Sequence, residues 1–500
     1  MRRKATSIAK LLARPLPFIF ILAALSTVVR SIFLTKADIW HDEGYSTAII
    51  NYPLGEIITR TINDVHPPLY YLVLSVWQDI FGNSVVSLRG FSVVCGVLAV
   101  VFLYMLMRRI FPEKIAKLAG LFAAIGPFLV RYSDEARMYS LAALLAVLST
   151  YLLVVALEST KKSRYLWWVG YGVAISAGIY TQYFFIFLVI PHLIYALDIH
   201  KWNFTKLLKN KGWWLDNILG AGLFLPWLPH MLAQTSRVQG GFWIPPMDLG
   251  SISRTISHFV TYNNDIATVF GYSLIVLMIF VPFMAVSKLK KYNRSTILLI
   301  GWLIIPILAV AALSLVRHVY IDRYFTYSAP AFYALAAVVI FSIRSKKNPW
   351  IRPVTAVAVV VLFAIGIGNV AQVATHQMGS VAATVNRNYR PGDAVISAEL
   401  YTYFDFSYYN KTGTEPQLLS EKPFGRYGEM SLLHDKPQLR IESLSEIKND
   451  RVWLIGKIGE KDYFTTMTPD NWTLISTREA GDSAVRLYRV SNSPAAKSSL

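Results

Sequence analysis

The sequence predicts an all-α polytopic membrane protein of about eleven spans, followed by a small α/β domain outside the membrane. Three observations carry this. The 500 residues are 54% hydrophobic and only 16% charged, with a mean hydropathy of +0.42. Eleven apolar runs approach the roughly 20 residues that a bilayer asks of a helix. And 24 of the 49 Lys and Arg stand in six clusters that fall at every second loop, as an alternating chain with a cytoplasmic N-terminus requires. The formal net charge of +19 would suit a nucleic-acid binder. Its placement makes it an orientation signal instead, and no nucleic-acid partner is predicted. The same composition excludes a disordered chain and a disulfide scaffold. The lone Cys95 cannot form a disulfide within the chain.

The runs can be taken in order. Pro15–Leu34 follows a basic N-terminus with no A-x-A-like cleavage site, so it is predicted as a retained first span. Next come Leu88–Met107, Ile115–Val130, Met138–Leu157, Leu166–Tyr180 and Gln182–Leu197. Trp213–Leu228, Ala267–Val286, Thr296–Val316, Tyr327–Ile343 and Pro353–Val373 complete the series. Leu69–Phe81 is apolar but too short to span. Counting it would also place Arg108 and Arg109 outside, so it is predicted to lie at the outer interface. The outer side then carries a first loop (Thr35–Ser87), a middle loop (Pro229–Asp265) and everything after about Ala374. That tail holds as many acidic as basic residues and no long apolar run. Asp393–Ser397, Arg451–Lys457 and Val485–Val490 read as strands, and Pro391-Gly392 as a turn. The predicted domains are therefore 1–374, including the 35–87 loop, and 375–500.

Unusual residues gather on the outer side. The first loop reads Trp40-His41-Asp42-Glu43-Gly44, then Asp64-Val65-His66-Pro67-Pro68-Leu69-Tyr70-Tyr71. The turn after the third run reads Arg131-Tyr132-Ser133-Asp134-Glu135-Ala136-Arg137-Met138-Tyr139, and a late loop reads Asp322-Arg323-Tyr324-Phe325. Ionisable groups at a membrane boundary cost free energy unless paired, which makes them functional candidates. Asp42 or Glu43 can serve as a general base on a hydroxyl, and adjacent carboxylates resist ionising together. The plainer alternative is a solvated acidic loop. Arg131 and Glu135 fit an i, i+4 ion pair if the turn is helical. Arg137, Arg131 or Arg323 can hold a phosphate, because a guanidinium grips phosphate with a two-pronged fork. For Arg323 the alternative is interfacial snorkelling among Tyr320, Tyr324 and Tyr327. His41, His66, Asp42, Glu43 and Asp64 are also the residue types of a divalent-cation site, although no tight ligand spacing supports one.

Taken together, these motifs resemble the GT-C membrane glycosyltransferases. The nearest group is the family 39-like dolichyl-phosphate-mannose protein mannosyltransferases and aminoarabinose transferases. The resemblance rests on Trp40-His41-Asp42-Glu43, Asp64 to Tyr71, Phe81-Gly82, Leu88-Arg89-Gly90, Glu135 to Tyr139, and Arg323-Tyr324-Phe325 with Pro330. It implies an enzyme of the cell membrane that moves a sugar, with inversion, from a polyprenyl-phosphate donor to a hydroxyl outside the membrane. It further implies Asp42 as the base, with Glu43 positioning the acceptor or tuning Asp42. Arg137 and Arg323 would take the donor phosphate. Asp134, Glu135, His66, Tyr139 and Asp64 would support them. The large inserted outer domain of protein mannosyltransferases has no counterpart here, which favours a glycan or lipid acceptor over a protein. Two other classes fit an outer polar cluster: a polar-lipid transporter or flippase, and a non-catalytic membrane scaffold. A transporter, however, usually shows internal repeats and midplane charges, and neither is seen.

Overall fold

A computed structural model describes residues 15–160, 164–237, 244–262, 293–343, 348–373, 376–459, 464 and 467–491. In chain order the helices are α1 (Pro15–Ser31), α2 (His41–Ile49), α3 (Leu54–Ile62), α4 (Leu69–Phe81), α5 (Val85–Ile110) and α6 (Glu113–Ala124). Then come α7 (Pro127–Arg131), α8 (Tyr139–Glu158), α9 (Arg164–Thr181), α10 (Val189–Ile199), α11 (Phe204–Leu208), α12 (Lys211–Phe224) and α13 (Leu228–Arg237). The rest are α14 (Ser251–Val260), α15 (Asn293–Ser314), α16 (Ala329–Ser342), α17 (Ile351–Val370), α18 (Met378–Asn388) and α19 (Leu400–Tyr409).

Ten of the eleven apolar runs are helical over most of their length, and Ala267–Val286 lies outside the described residues. Among the described residues, four helices are long and apolar enough to cross a membrane: α5, α8, α15 and α17. α4 has the bounds expected for the short apolar segment. Residues 35–87 are less of a loop than the sequence suggested, because α2, α3 and α4 fill most of them. The middle loop likewise holds α13 and α14.

The chain divides into two compact units. The first comprises residues up to 33, 66–70 and 89–373. Here α9 packs against α8 and α12, α16 against α6, and α15 against α10. The third run does not pass as one helix. α6 ends at Ala124, and Gly126-Pro127 begins α7, since Pro127 has no N–H to continue the ladder. A break inside an apolar bundle leaves carbonyls without intrahelical donors. Arg30, fully buried near the end of α1, supplies them: Nη1 donates to Ala124 O at 2.8 Å and Nη2 to Ala123 O at 3.1 Å. Its Nε donates to Ser133 Oγ at 3.2 Å, tying the break to the turn that follows.

The second unit comprises residues 34–65, 71–88 and 374–500. Its strands are β1 (Ala394–Ser397), β2 (Gln417–Leu419), β3 (Arg440–Ile441), β4 (Arg451–Lys457), β5 (Trp472–Ala480) and β6 (Ser483–Val490). They form one sheet in the order β3-β2-β1-β4-β6-β5, parallel from β3 to β4 and antiparallel from β4 to β5. β4 is buried on both faces, as a central strand covered on two sides must be. Val452 and Leu454 face Ile396, Trp472 and Tyr488. Trp453 and Ile455 face Val381, Val385 and Phe406 of α18 and α19. α2 packs on α19, and Gly44 is what allows it. A Cβ there would meet the Phe404 carbonyl carbon at 2.8 Å and the Asp405 nitrogen at 2.9 Å. Backbone bonds strap the approach to α2 onto the same unit: Asp38 N–H donates to His376 O at 2.9 Å, and Gly379 N–H donates to Asp38 Oδ2 at 2.7 Å.

Candidate active site

In the first unit the turn between α7 and α8 holds Arg131, Asp134, Glu135 and Arg137. The turn is built before its charges are placed. Ser133 Oγ donates to Leu129 O at 2.7 Å, Ser140 Oγ to Tyr132 O at 3.0 Å, and Ser92 Oγ to Glu135 O at 2.6 Å. Arg131 Nη2 and Glu135 Oε1 meet at 2.6 Å, so the i, i+4 pair is formed. Arg137 is buried, with Nη2 3.4 Å from His66 Nε2. Tyr139 is buried at the start of α8, edge-on to Tyr132 at 5.1 Å. Burial pushes the Asp134 carboxyl up to about 8, against the pull of Arg131, Arg89 and Arg30. Arg323 is half-buried in the single turn Asp322–Phe325, and its N–H donates to Asp322 Oδ1 at 2.7 Å. Asp322 Oδ2 lies 2.5 Å from His258 Nδ1 of α14. Burial opposes the Asp322 charge, but the His258 bond and the nearby cations outweigh it and hold the carboxyl below its ordinary value.

In the second unit Asp42 and Glu43 lie in the first turn of α2, where the helix dipole favours carboxylates. Glu43 is fully buried and Asp42 half-buried, so this is not a solvated acidic loop. Glu43 Oε2 accepts from the Trp40 N–H at 3.4 Å, reaching back over the helix start. His41 Nε2 lies 2.6 Å from Glu429 Oε2. Asp64 is buried in the turn after α3, where its N–H donates to Thr61 O at 3.2 Å. Ligand atoms of His41, Asp42 and Glu429 lie within 4.8 Å of one another, and their N and O donors suit a divalent cation.

The expected residues thus divide by unit. Arg137, Arg323, Asp134, Glu135, His66 and Tyr139 belong to the first, and Asp42, Glu43 and Asp64 to the second. The structure brings together Arg137 with His66, and Arg131 with Glu135. Four contributors went unseen in the sequence. Arg30 and His258 sit in segments read as a plain span and a plain loop. Glu429 and Asp405 come from the tail. The Asp405 carboxyl is buried against α2, where an added Gly44 Cβ would meet its Oδ1 at 2.9 Å. Burial first, and then the charges of Asp482, Glu43 and Asp42, push Asp405 well above the usual carboxylate range.

Residues 65–230 match the family model described as dolichyl-phosphate-mannose-protein mannosyltransferase. The structure superposes on ArnT from Cupriavidus metallidurans bound to undecaprenyl phosphate with a TM-score of 0.65, covering 95% of this chain and 98% of that one at 12% identity. The fold is that of the GT-C membrane glycosyltransferases. Other solved structures share the GT-C fold. The apo state of the same ArnT matches with a TM-score of 0.66 at 12% identity over 94% of this chain and 98% of that one. The Archaeoglobus fulgidus oligosaccharyltransferase, in complex with Zn and sulfate, matches with a TM-score of 0.52 at 13% identity over 88% and 68%. No curated protein matches the sequence. At these identities the likeness is one of fold, with sequence support confined to residues 65–230.

Proposed function

We propose that this protein is an inverting membrane glycosyltransferase. It moves a sugar from a polyprenyl-phosphate donor to a hydroxyl of a cell-envelope acceptor on the outer side of the cell membrane. One observation carries the reading: a fold shared nearly end to end with a protein solved with undecaprenyl phosphate, with a buried guanidinium, Arg137, in the turn between α7 and α8. In this reading all eleven runs are spans, the N-terminus is cytoplasmic and residues 375–500 are extracytoplasmic.

Asp42 takes the proton of the acceptor hydroxyl. The hydroxyl oxygen bonds to the anomeric carbon from the face opposite the donor phosphate, and the bond from that carbon to the phosphate oxygen breaks. Polyprenyl phosphate leaves with the electron pair. Negative charge grows on the phosphate in the transition state, which is where a pre-set cation lowers the barrier most. Arg137 and Arg323 supply that charge. Ser92, Ser133, Ser140 and Arg30 fix the turn in advance, so little reorganisation accompanies the reaction. Glu43, buried beside Asp42, positions it. A divalent cation, where one is used, would be held by His41, Asp42 and Glu429 and would polarise an acceptor oxygen.

The test is transfer in vesicles holding the purified protein, an undecaprenyl-phosphate sugar and cell-envelope extract as acceptor. Wild type labels the extract, and Asp42→Asn inserts and folds but does not. Full labelling by that variant would remove Asp42 as the base. Labelling by no donor would remove the reaction.

A further inference from the structure

We propose that the second unit holds a subsite for a neutral oligosaccharide, in a cavity of about 620 Å³ walled by α2, α19 and the loops that follow α19. The proposal rests on the reading of Asp42 as base to an acceptor hydroxyl, and it narrows the acceptor to a saccharide chain.

The size is that of a ligand site, since such cavities run to roughly 300–1,000 Å³. The lining is that of a sugar site rather than a lipid or phosphate site. Tyr52, Tyr403 and Tyr408 give aromatic rings with polar edges, of which Tyr403 is buried and Tyr52 has one face under Arg60. A sugar ring offers the matching pair, C–H faces that stack on aromatic rings and hydroxyls that both donate and accept. Asn51 answers the hydroxyls. Its Nδ2 donates to Thr47 O at 2.9 Å and its Oδ1 accepts from Gln78 at 3.0 Å. Those two bonds fix the amide plane and leave one proton and one lone pair for a ligand.

Charge decides the ligand class. The two charged residues in the lining, Glu415 and Lys436, meet each other at 2.6 Å and cancel. Nearby Arg60 lies over the Tyr52 ring at 3.7 Å but is turned to Asp435 at 2.8 Å. A phosphate or a uronic acid finds no surplus cation there, whereas a neutral chain has no desolvated charge to oppose it. The wall is also set in advance: Tyr408 Oη donates to Asn83 O at 2.6 Å, and Asn410 Nδ2 donates to Thr414 O at 2.7 Å. Pre-formed walls reduce the ordering cost of binding a flexible chain.

Position links the cavity to the chemistry. Thr47 of the lining is five residues after Asp42 on α2, about 7.5 Å along the axis at 1.5 Å per residue. It is also one turn from Glu43 on the same face. Phe404 lines the cavity and packs edge-on to Tyr45 at 5.7 Å, and the next residue is Asp405. The two helices that gather the carboxyls are therefore the two that wall the cavity. The cavity shares its walls with the helices that carry Glu43 and Asp405.

The test is saturation-transfer NMR on the full-length protein in nanodiscs. The probes are mannotriose, maltotriose and arabinotriose, with trigalacturonic acid and inorganic phosphate as charged controls. Wild type binds at least one neutral trisaccharide and neither control. Tyr403→Ala weakens that binding about tenfold or more, the loss of about 1.4 kcal/mol. Asn51→Leu, which keeps the wall filled, weakens it likewise and guards against misfolding of the first variant. Asp42→Asn binds as wild type does. The proposal is overturned if no neutral trisaccharide binds, if the controls bind better, or if both cavity variants bind as wild type does. Binding without transfer from any donor would leave the subsite and remove the reaction. Transfer without trisaccharide binding would do the reverse.

Discussion

The two units bury charged groups by different means. In the helical unit Arg30, Arg89 and Arg137 are buried together with Asp134, Glu135 and Asp216, and Arg131 is half-buried. Arg30 is satisfied by backbone carbonyls freed at a helix break, and Arg131 by a carboxylate one turn away. In the sheet unit the buried carboxyls include Glu43 and Asp405, with Asp42 half-buried beside them. They are gathered by a helix start and by a glycine contact rather than by cations. An apolar bundle offers few acceptors besides the carbonyls of its own broken backbone, so it can hold cations where helices end. A sheet unit with tight helix packing can crowd acids together, which hinders their joint ionisation. In the proposed reaction the first unit would receive the donor phosphate and the second the acceptor proton.

Four changes break or sharpen that contrast. The largest effect is expected from Asp42→Asn, which removes the proton acceptor and lowers the transfer rate by about 10³-fold. The stopped-time product yield in vesicles measures it. Arg137→Ala should lower the rate by about 10²-fold by removing charge stabilisation at the phosphate, with Arg137→Lys between it and wild type. A lysine variant as poor as alanine would point to the fork geometry rather than the charge. Gly44→Ala strikes the acidic side alone. Its Cβ would stand 2.8 Å from the Phe404 backbone, and relief of that clash costs about 1–3 kcal/mol. The expected result is a lower melting temperature for the full chain and reduced transfer, with undecaprenyl phosphate binding intact.

The smallest effect is a pH dependence on the cationic side. The Asp134 carboxyl lies at about 8 in the fold against an ordinary 3.8. The folded state therefore keeps a proton that the unfolded chain releases. Between about pH 4 and pH 8 the native form binds more protons, so stability falls as pH rises through that window. Asp134→Asn should flatten the melting temperature across it. An unchanged slope would show that other groups carry the dependence.

Much of the helical unit was legible in the sequence because its signals are local. The apolar runs gave the helices, α4 has the expected bounds, and β4 coincides with the expected Arg451–Lys457. β5 was missed because it is exposed along most of its length and shows no apolar alternation. The residues of the turn between α7 and α8 were legible as candidates, and Arg131 and Glu135 pair although residues 132–138 form turns and bends rather than a helix. The packing around Asp42 was not. It depends on Gly44 meeting Phe404 and on His41 meeting Glu429, contacts across more than 350 residues. Arg30 drew no reading of its own within the Pro15–Leu34 run, since only the fold shows that a second helix breaks beside it. The composition change near residue 374 marked where the tail begins. It held no hint that residues 34–65 and 71–88 share a unit with that tail.

The most direct test of this division of labour is the affinity of the full-length protein for undecaprenyl phosphate, measured for wild type, Asp42→Asn and Arg137→Ala. A charged hydrogen-bonded contact contributes about 1.5–3 kcal/mol. Arg137→Ala should therefore weaken binding about tenfold or more, while Asp42→Asn, inactive in transfer, binds as tightly as wild type. Loss of phosphate binding in Asp42→Asn, or wild-type binding in Arg137→Ala, would contradict it.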